Sequence, residues 1–130
     1  MEVNLDPVPV MYVTTKAPGE GVQKAFDVLE SKLSTRRHRR FYGAFFHITR
    51  EYRACVRIED GEEPETLGLL GWTIPGGKYK SQELHDWRSR IPEFPEIFAG
   101  MIKGEKVDST RPSVEYYRSM TECVLYLPIE

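Results

Sequence analysis

The sequence predicts an α+β fold in which two similar β-α-β-β units form one antiparallel sheet with two helices on one face. Runs rich in β-branched and aromatic residues alternate with two amphipathic segments in that order, twice over. The length of 130 residues is that of one domain with one proper core. We therefore predict a single domain with internal repeats over about residues 5–62 and 67–130.

In the first repeat, the β-branched run at 8–15 predicts a strand. From Val22 to Leu33 the apolar residues fall at helical spacing, so this segment predicts an amphipathic helix. The helix leads into the basic run Arg36–Arg40, whose cations are favourable at a helix C-terminus. Two strands should follow, at about 41–49 and 52–60.

A polar loop and a linking strand at 67–74, ended by Pro75-Gly76-Gly77, lead into the second repeat. The remaining predicted elements are a strand at about 78–84, a helix at about 93–103 and strands at about 112–119 and 121–129. Pro92 and Pro95 interrupt the second helical segment, so it should be shorter or displaced.

The two helical segments can be aligned with a shift of 72 residues. The core-facing positions then pair as Val22 with Phe94, Ala25 with Ile97, Phe26 with Phe98 and Leu29 with Met101. A shift near 70 would make Phe45 the repeat partner of Glu115. Because both helices should cover one face of the sheet, we expect the other face to hold a ligand groove between the halves.

Composition excludes several functional classes. Eighteen basic and twenty acidic residues give a formal charge of -2, which does not favour nucleic acid or an anionic membrane as a partner. We expect no membrane span and no secretory signal, and therefore a cytoplasmic protein. Cys55 and Cys123 should be buried thiols rather than a disulfide. No spacing of Cys or His resembles a metal site, and we expect no cofactor.

The stretch Pro112–Arg118 carries an unusual carboxylate. Because side chains alternate along a strand, Glu115 and Tyr117 should share one face. Glutamate is depleted in strands and costly to bury without a partner. Glu115 is therefore either a surface carboxylate, paired with Arg118 or a nearby lysine, or part of a binding site.

Three motifs resemble the GyrI-like small-molecule-binding family: Ile74-Pro75-Gly76-Gly77-Lys78-Tyr79, Glu115-x-Tyr117 and the closing Tyr126-Leu127-Pro128-Ile129. The family includes the effector-binding domains of multidrug-responsive and AraC-type bacterial transcription regulators. The resemblance implies a duplicated β-α-β-β fold with the acidic residue in an aromatic groove that binds lipophilic, often cationic, compounds. It thus implies that Glu115 and Tyr117 bind ligand.

The other candidate residues for binding are aromatic or basic. Phe45 and His47 share a face of the predicted strand 41–49. The weaker candidates are Tyr42 in the same strand, Trp72, Tyr79 and Trp87. Phe45 could instead be simple core, His47 a hydrogen-bonded strand histidine, and Trp72 a residue packed beneath a helix. No nucleophile dyad or phosphate-binding loop is visible.

The sequence favours non-catalytic binding of a small hydrophobic compound, including cations, by a stand-alone domain. The first alternative, also implied by the resemblance, is a hydrolase that opens reactive cyclopropane-containing natural products with Glu115 as general base. The second is a gyrase-modulating interaction protein, and a protein partner or homodimer stays open. A haem-binding relative is disfavoured by Glu115. For Arg36–Arg40, a solvated helix end is favoured over direct nucleic-acid binding.

Overall fold

A computed structural model describes residues 1–17, 19–35 and 37–130. These residues form eight strands and two α-helices: β1 (Glu2–Leu5), β2 (Val8–Lys16), α1 (Gly21–Ser31), β3 (Phe41–Phe46), β4 (Glu51–Arg57), β5 (Leu70–Ile74), β6 (Gly77–His85), α2 (Phe94–Ile102), β7 (Ser113–Tyr117) and β8 (Glu122–Pro128). Two 3-10 segments, Pro64–Leu67 and Trp87–Glu93, precede β5 and α2. Pro18, in the predicted first loop, and Arg36, the first residue of the predicted basic run, lie outside the described residues.

All eight strands join one antiparallel sheet in the order β1-β6-β8-β7-β3-β4-β2-β5. The strand sets β6-β8-β7 and β3-β4-β2 mirror each other about the central β7–β3 pair. The edge strands are exchanged between the halves, since β1 pairs with β6 and β5 pairs with β2. The predicted fold class is confirmed. That the halves arose by duplication stays a prediction.

Alternation along the strands divides the core between the two faces of the sheet. On one face, α1 packs on β2 and β4 through a cluster that includes Ala25, Leu29 and Val56. On the same face, α2 packs against β8 through Phe94, Phe98, Met101 and Leu125 among others. The strip formed by β3 and β7 therefore lies between the two helices. The opposite face carries a third cluster: Val10, Tyr42, Cys55, Ile74, Tyr79 and Val114.

The second helix is short, as its prolines predict. Pro95 occupies the first turn of α2, where a missing N–H costs no hydrogen bond, and Pro92 lies in the preceding 3-10 segment. The helix then runs only from Phe94 to Ile102. The aromatic and aliphatic side chains of this single amphipathic face account for its docking on β8.

One predicted strand starts later than expected, and one observed strand was not predicted. The predicted strand 67–74 begins only at Leu70, because Pro64 starts a 3-10 turn that ends at Gly68 in a left-handed conformation. Sequence patterning also misses β1, whose four residues become a strand only by pairing with β6. Both cysteines are buried free thiols.

Candidate functional site

Glu115 lies at the centre of the sheet, in β7 opposite β3, and its side chain points to the face that carries the helices. Glu115 therefore does not lie on the helix-free face, where we expected the ligand groove. The reason is the register of β7, in which Glu115 and Tyr117 share a face with Leu125 of β8 rather than with Val114. The strip of β3 and β7 that carries this carboxylate lies between α1 and α2.

Two tyrosine hydroxyls converge on one carboxylate oxygen. Tyr52 in β4 donates to Oε1 of Glu115 at 2.6 Å, and Tyr117 donates to the same atom at 2.5 Å. The two hydroxyl oxygens are 3.4 Å apart. The second oxygen, Oε2, accepts no hydrogen bond from a described residue and is not closed off from solvent. One side of the carboxylate is thus held in place while the other is available.

Gly43 makes this arrangement sterically feasible. It faces Glu115 across the β3–β7 pair. A Cβ at position 43 would overlap the Tyr52 hydroxyl and would lie 2.5 Å from Oε1 of Glu115. Only glycine leaves room for the Tyr52 phenol to cross β3 and reach the carboxylate.

The surroundings of Glu115 favour a carboxyl group that is either protonated or paired with a positive charge. Burial raises the pKa of Glu115 above its ordinary value, and the hydrogen bonds from Tyr117 and Tyr52 oppose that rise. Burial, followed by the nearby negative charge of Glu115, raises the pKa of Tyr52 and of Tyr117 well above 10. Both phenols therefore remain hydroxyl donors at neutral pH. No Lys, Arg or His in the described ranges forms an ion pair with Glu115.

Aromatic rings from both halves enclose the tyrosines. Phe26 of α1 contacts Tyr52 and Tyr117 edge-on, with ring centroids 6.2 Å and 5.6 Å apart. From the second half, Trp87 packs against Tyr117 at 4.8 Å and donates its indole N–H to the carbonyl of Ser119. The side chains packed around the Glu115 site are therefore aromatic rings, whose faces attract cations.

Phe45 and His47 lie on the same face as Glu115, further along β3 and into its turn. The ring of His47 packs edge-on against Phe45 at 4.6 Å, and its Nε2 is 2.8 Å from the hydroxyl of buried Ser113. Partial burial lowers the pKa of His47. Gly43, rather than Phe45, faces Glu115, and the 72-residue shift that aligns the helices also carries Gly43 onto Glu115. The assignment of Phe45 as the repeat partner of Glu115 is thus corrected.

Tyr42, Trp72 and Tyr79 lie on the opposite face of the sheet and do not join the Glu115 site. Tyr42 stacks on Tyr116 at 4.9 Å, and Tyr79 is fully buried. Trp72 packs edge-on against Tyr12 rather than beneath a helix. The register of each strand decides to which face a side chain points. The predicted strand 67–74 begins earlier than β5, so the sequence did not establish the face of Trp72.

Sequence reasoning missed Tyr52, Gly43 and Phe26. The alternation Tyr52-x-Ala54-x-Val56 predicts a face for Tyr52, but only the strand order brings β4 next to β3 and within reach of β7. The alternative pairing of Glu115 with Arg118 does not occur, because Arg118 pairs with Glu83 and Glu122. The site residues that matter most thus come from three different strands.

Within the described part of the chain, no group of three or more His, Cys, Asp or Glu side chains is arranged to hold a metal ion. None of the helices described there is both long enough and apolar enough to cross a membrane.

No protein-family model matches the chain, and no curated protein is significantly similar to it in sequence. Among solved structures, it is similar to an integron cassette protein from the mobile metagenome of Vibrio cholerae, with a TM-score of 0.76 and 15% identity. That alignment covers 100% of this chain and 95% of the other.

Two further structures share the fold across the whole chain. A hydrolase from Listeria innocua aligns with a TM-score of 0.62 and 14% identity, covering 100% of this chain and 90% of that one. The protein SAV2435, solved with tetraphenylphosphonium bound, aligns with a TM-score of 0.62 and 10% identity, covering 100% and 93%. At these identities the likeness shows the fold alone, a fold found in a ligand-binding protein and in a hydrolase.

Proposed function

We propose that this chain binds small lipophilic cations, without chemically altering them, in the gap between α1 and α2 above Glu115. The single observation that carries the proposal is a centrally placed carboxylate that two tyrosines hold by one oxygen and that no described cation neutralises. A charge withdrawn from water and left without a counter-ion is costly. A bound cation would supply that counter-ion.

The second carboxylate oxygen gives such a cation a direct point of contact. Oε2 of Glu115 has no described donor and is reachable from solvent, whereas Oε1 is fully engaged by Tyr52 and Tyr117. The two hydrogen bonds fix the orientation of the carboxylate before a ligand arrives. Preorganisation of this kind reduces the entropy that binding would otherwise cost.

The rings supply the lipophilic part of the recognition. Phe26 and Trp87 each contact Tyr117, whose hydroxyl binds the carboxylate. Each can add a cation–π contact of about 0.5–2 kcal/mol, depending on how far the cation is desolvated. Because rings discriminate weakly between shapes, we propose a broad range of ligands. The tetraphenylphosphonium bound to SAV2435, which has the same fold, supports this ligand class, as does the resemblance to the GyrI-like family.

The test compares two probes of the same shape and opposite charge. Calorimetric titration should show that tetraphenylphosphonium binds and that tetraphenylborate does not. Glu115→Gln should weaken tetraphenylphosphonium binding by at least about tenfold, as expected for loss of the Coulomb attraction between opposite charges in a partly desolvated site. Glu65→Gln removes the same charge from an exposed position and should leave the affinity unchanged. Equal binding of both probes, or no effect of Glu115→Gln, would overturn the proposal.

The same geometry supports a second candidate, hydrolysis of a strained, electrophilic ring. The raised pKa of Glu115 and its accessible Oε2 suit a general base that takes a proton from water. The water oxygen would bond to a ring carbon as the ring bond breaks, and the leaving atom would take up a proton. Mass analysis after incubation with an epoxide or an activated cyclopropane should detect a product heavier by one water. Recovery of unchanged compound would leave binding as the function.

A further inference from the structure

A pair of arginines lies directly opposite one another on the helix-free face of the sheet. The backbone N–H of Arg57, at the end of β4, donates to the carbonyl of Arg40, which precedes β3, at 2.9 Å. Both side chains point to the face of Tyr42, because each is an even number of residues from a side chain on that face. Like charges directly opposite in a sheet destabilise it, so this pair has an electrostatic cost.

No described residue offsets that cost by forming an ion pair with either arginine. Neither guanidinium forms an ion pair or a side-chain hydrogen bond within residues 1–17, 19–35 and 37–130. Arg39, the neighbour of Arg40, is in contrast held by two hydrogen bonds to Glu62. In the basic run, Arg39 therefore has a structural role, whereas the charge of Arg40 faces a cavity.

That cavity has a volume of about 290 Å³ and is lined by both arginines and by three tyrosines, Tyr42, Tyr116 and Tyr126. The rings of Tyr42 and Tyr116 are stacked 4.9 Å apart at an angle of 19°. None of the three hydroxyls hydrogen-bonds to a described residue. Asp6 also lines the cavity and opposes an anion, but its single charge faces two guanidinium groups.

A second cavity of about 420 Å³ shares Arg40 and Arg57 as lining residues. Its other lining residues include His38, Glu59 and Asp60. The two arginines thus stand between an aromatic cavity and a polar one. A ligand whose ring enters the first would place its charged group at the arginine pair.

We propose that the Arg40–Arg57 pair, with Tyr42, Tyr116 and Tyr126, forms a second binding site for a small aromatic acid, whose oxyanion contacts both guanidinium groups. The ring of the acid packs against the tyrosines, and the phenol hydroxyls complete the hydrogen bonding. This site is separate from the cation site, because Tyr116 and Glu115 are neighbours in β7 that point to opposite faces.

The test is calorimetric titration of the full chain with 2-naphthoate, with neutral 2-naphthylmethanol and inorganic phosphate as comparison probes. We expect 2-naphthoate to bind, and naphthylmethanol and phosphate each to bind at least about tenfold more weakly. Arg40→Gln and Arg57→Gln should each weaken 2-naphthoate binding by about tenfold or more, the effect of losing a hydrogen bond to a charged group. Arg37→Gln removes the same charge from an exposed position in the basic run and should have no effect.

Several results would overturn this proposal. They are absence of 2-naphthoate binding, equal binding of naphthylmethanol, equal binding of phosphate, or equal weakening by Arg37→Gln. Folding of the variants is checked by thermal unfolding without ligand, where Arg57→Gln should unfold no earlier than the parent because it relieves repulsion. Glu115→Gln should leave 2-naphthoate binding intact, so the two sites can fail independently.

Discussion

Gly43 faces Glu115 across the central pair of strands, β3 and β7, and the missing side chain leaves space that the Tyr52 hydroxyl and the carboxylate share. The two positions are also equivalent under the shift that aligns the helices. The half of the sheet that contains β7 thus contributes the charged Glu115. The half that contains β3 contributes Gly43, which leaves space beside the carboxylate. The asymmetry of the site follows from this relationship.

Gly43→Ala should destabilise the fold by about 1–3 kcal/mol, the usual cost of forcing extra volume into a packed site. The added methyl group would collide with Tyr52 and displace its hydrogen bond to Glu115. Urea unfolding measures the change. Gly100→Ala is the control, because a Cβ there meets open space within α2 and should be neutral or stabilising by up to about 1 kcal/mol. Equal effects of the two substitutions would contradict the steric argument.

Glu115→Gln should increase stability more at pH 8 than at pH 4. Burial raises the pKa of Glu115 in the folded protein, so the unfolded chain loses this proton at a lower pH. Between the two pKa values the folded state holds more protons, and its stability falls as pH rises. Glutamine removes this loss of stability, which the parent does not show at pH values below the pKa of Glu115 in the unfolded chain. Urea midpoints of parent and variant at both pH values test this. An equal difference in urea midpoint between parent and variant at both pH values would contradict this prediction.

Tyr117→Phe should move the pH at which cation binding is lost to a higher value. The hydrogen bond from Tyr117 lowers the pKa of Glu115, so its removal lets the carboxylate protonate at a higher pH. Binding of tetraphenylphosphonium, measured from pH 4 to 9, gives the midpoint. Tyr116→Phe removes a hydroxyl from the other face of the same strand and should leave the midpoint unchanged. Identical shifts in both variants would rule out the direct hydrogen bond as the cause.

Tetraphenylphosphonium should change the fluorescence of Trp87 and leave that of Trp72 unaffected. Trp87 contacts Tyr117 in the wall above Glu115, whereas Trp72 packs near Tyr12 on the opposite face. The chain has two tryptophans, so Trp72→Phe and Trp87→Phe each leave a single reporter. A fluorescence change that persists in Trp87→Phe and is lost in Trp72→Phe would place the ligand on the helix-free face, contrary to the proposal.

The sequence predicts most elements of the fold, and it misses those that depend on distant partners. Helical spacing predicts α1, and the prolines predict a short α2. The strand β1 is four residues long and carries no strong pattern of its own, so only its pairing with β6 defines it. The sequence also fails to predict the start of β5, because the 3-10 turn that begins at Pro64 includes part of a run whose pattern is typical of a strand.

For the site, alternation along one strand is local information, and it places Glu115 and Tyr117 on one face without any knowledge of the partners. Which face that is, and what covers it, depends on strand order and register over the whole sheet. Those relationships join Tyr52, Gly43 and Phe26 to the carboxylate and move Tyr42 and Trp72 to the other side. The sequence by itself determined that a carboxylate would stand among tyrosines, and only the tertiary structure decided which tyrosines, because hydrogen-bond partners distant in the chain are chosen by packing.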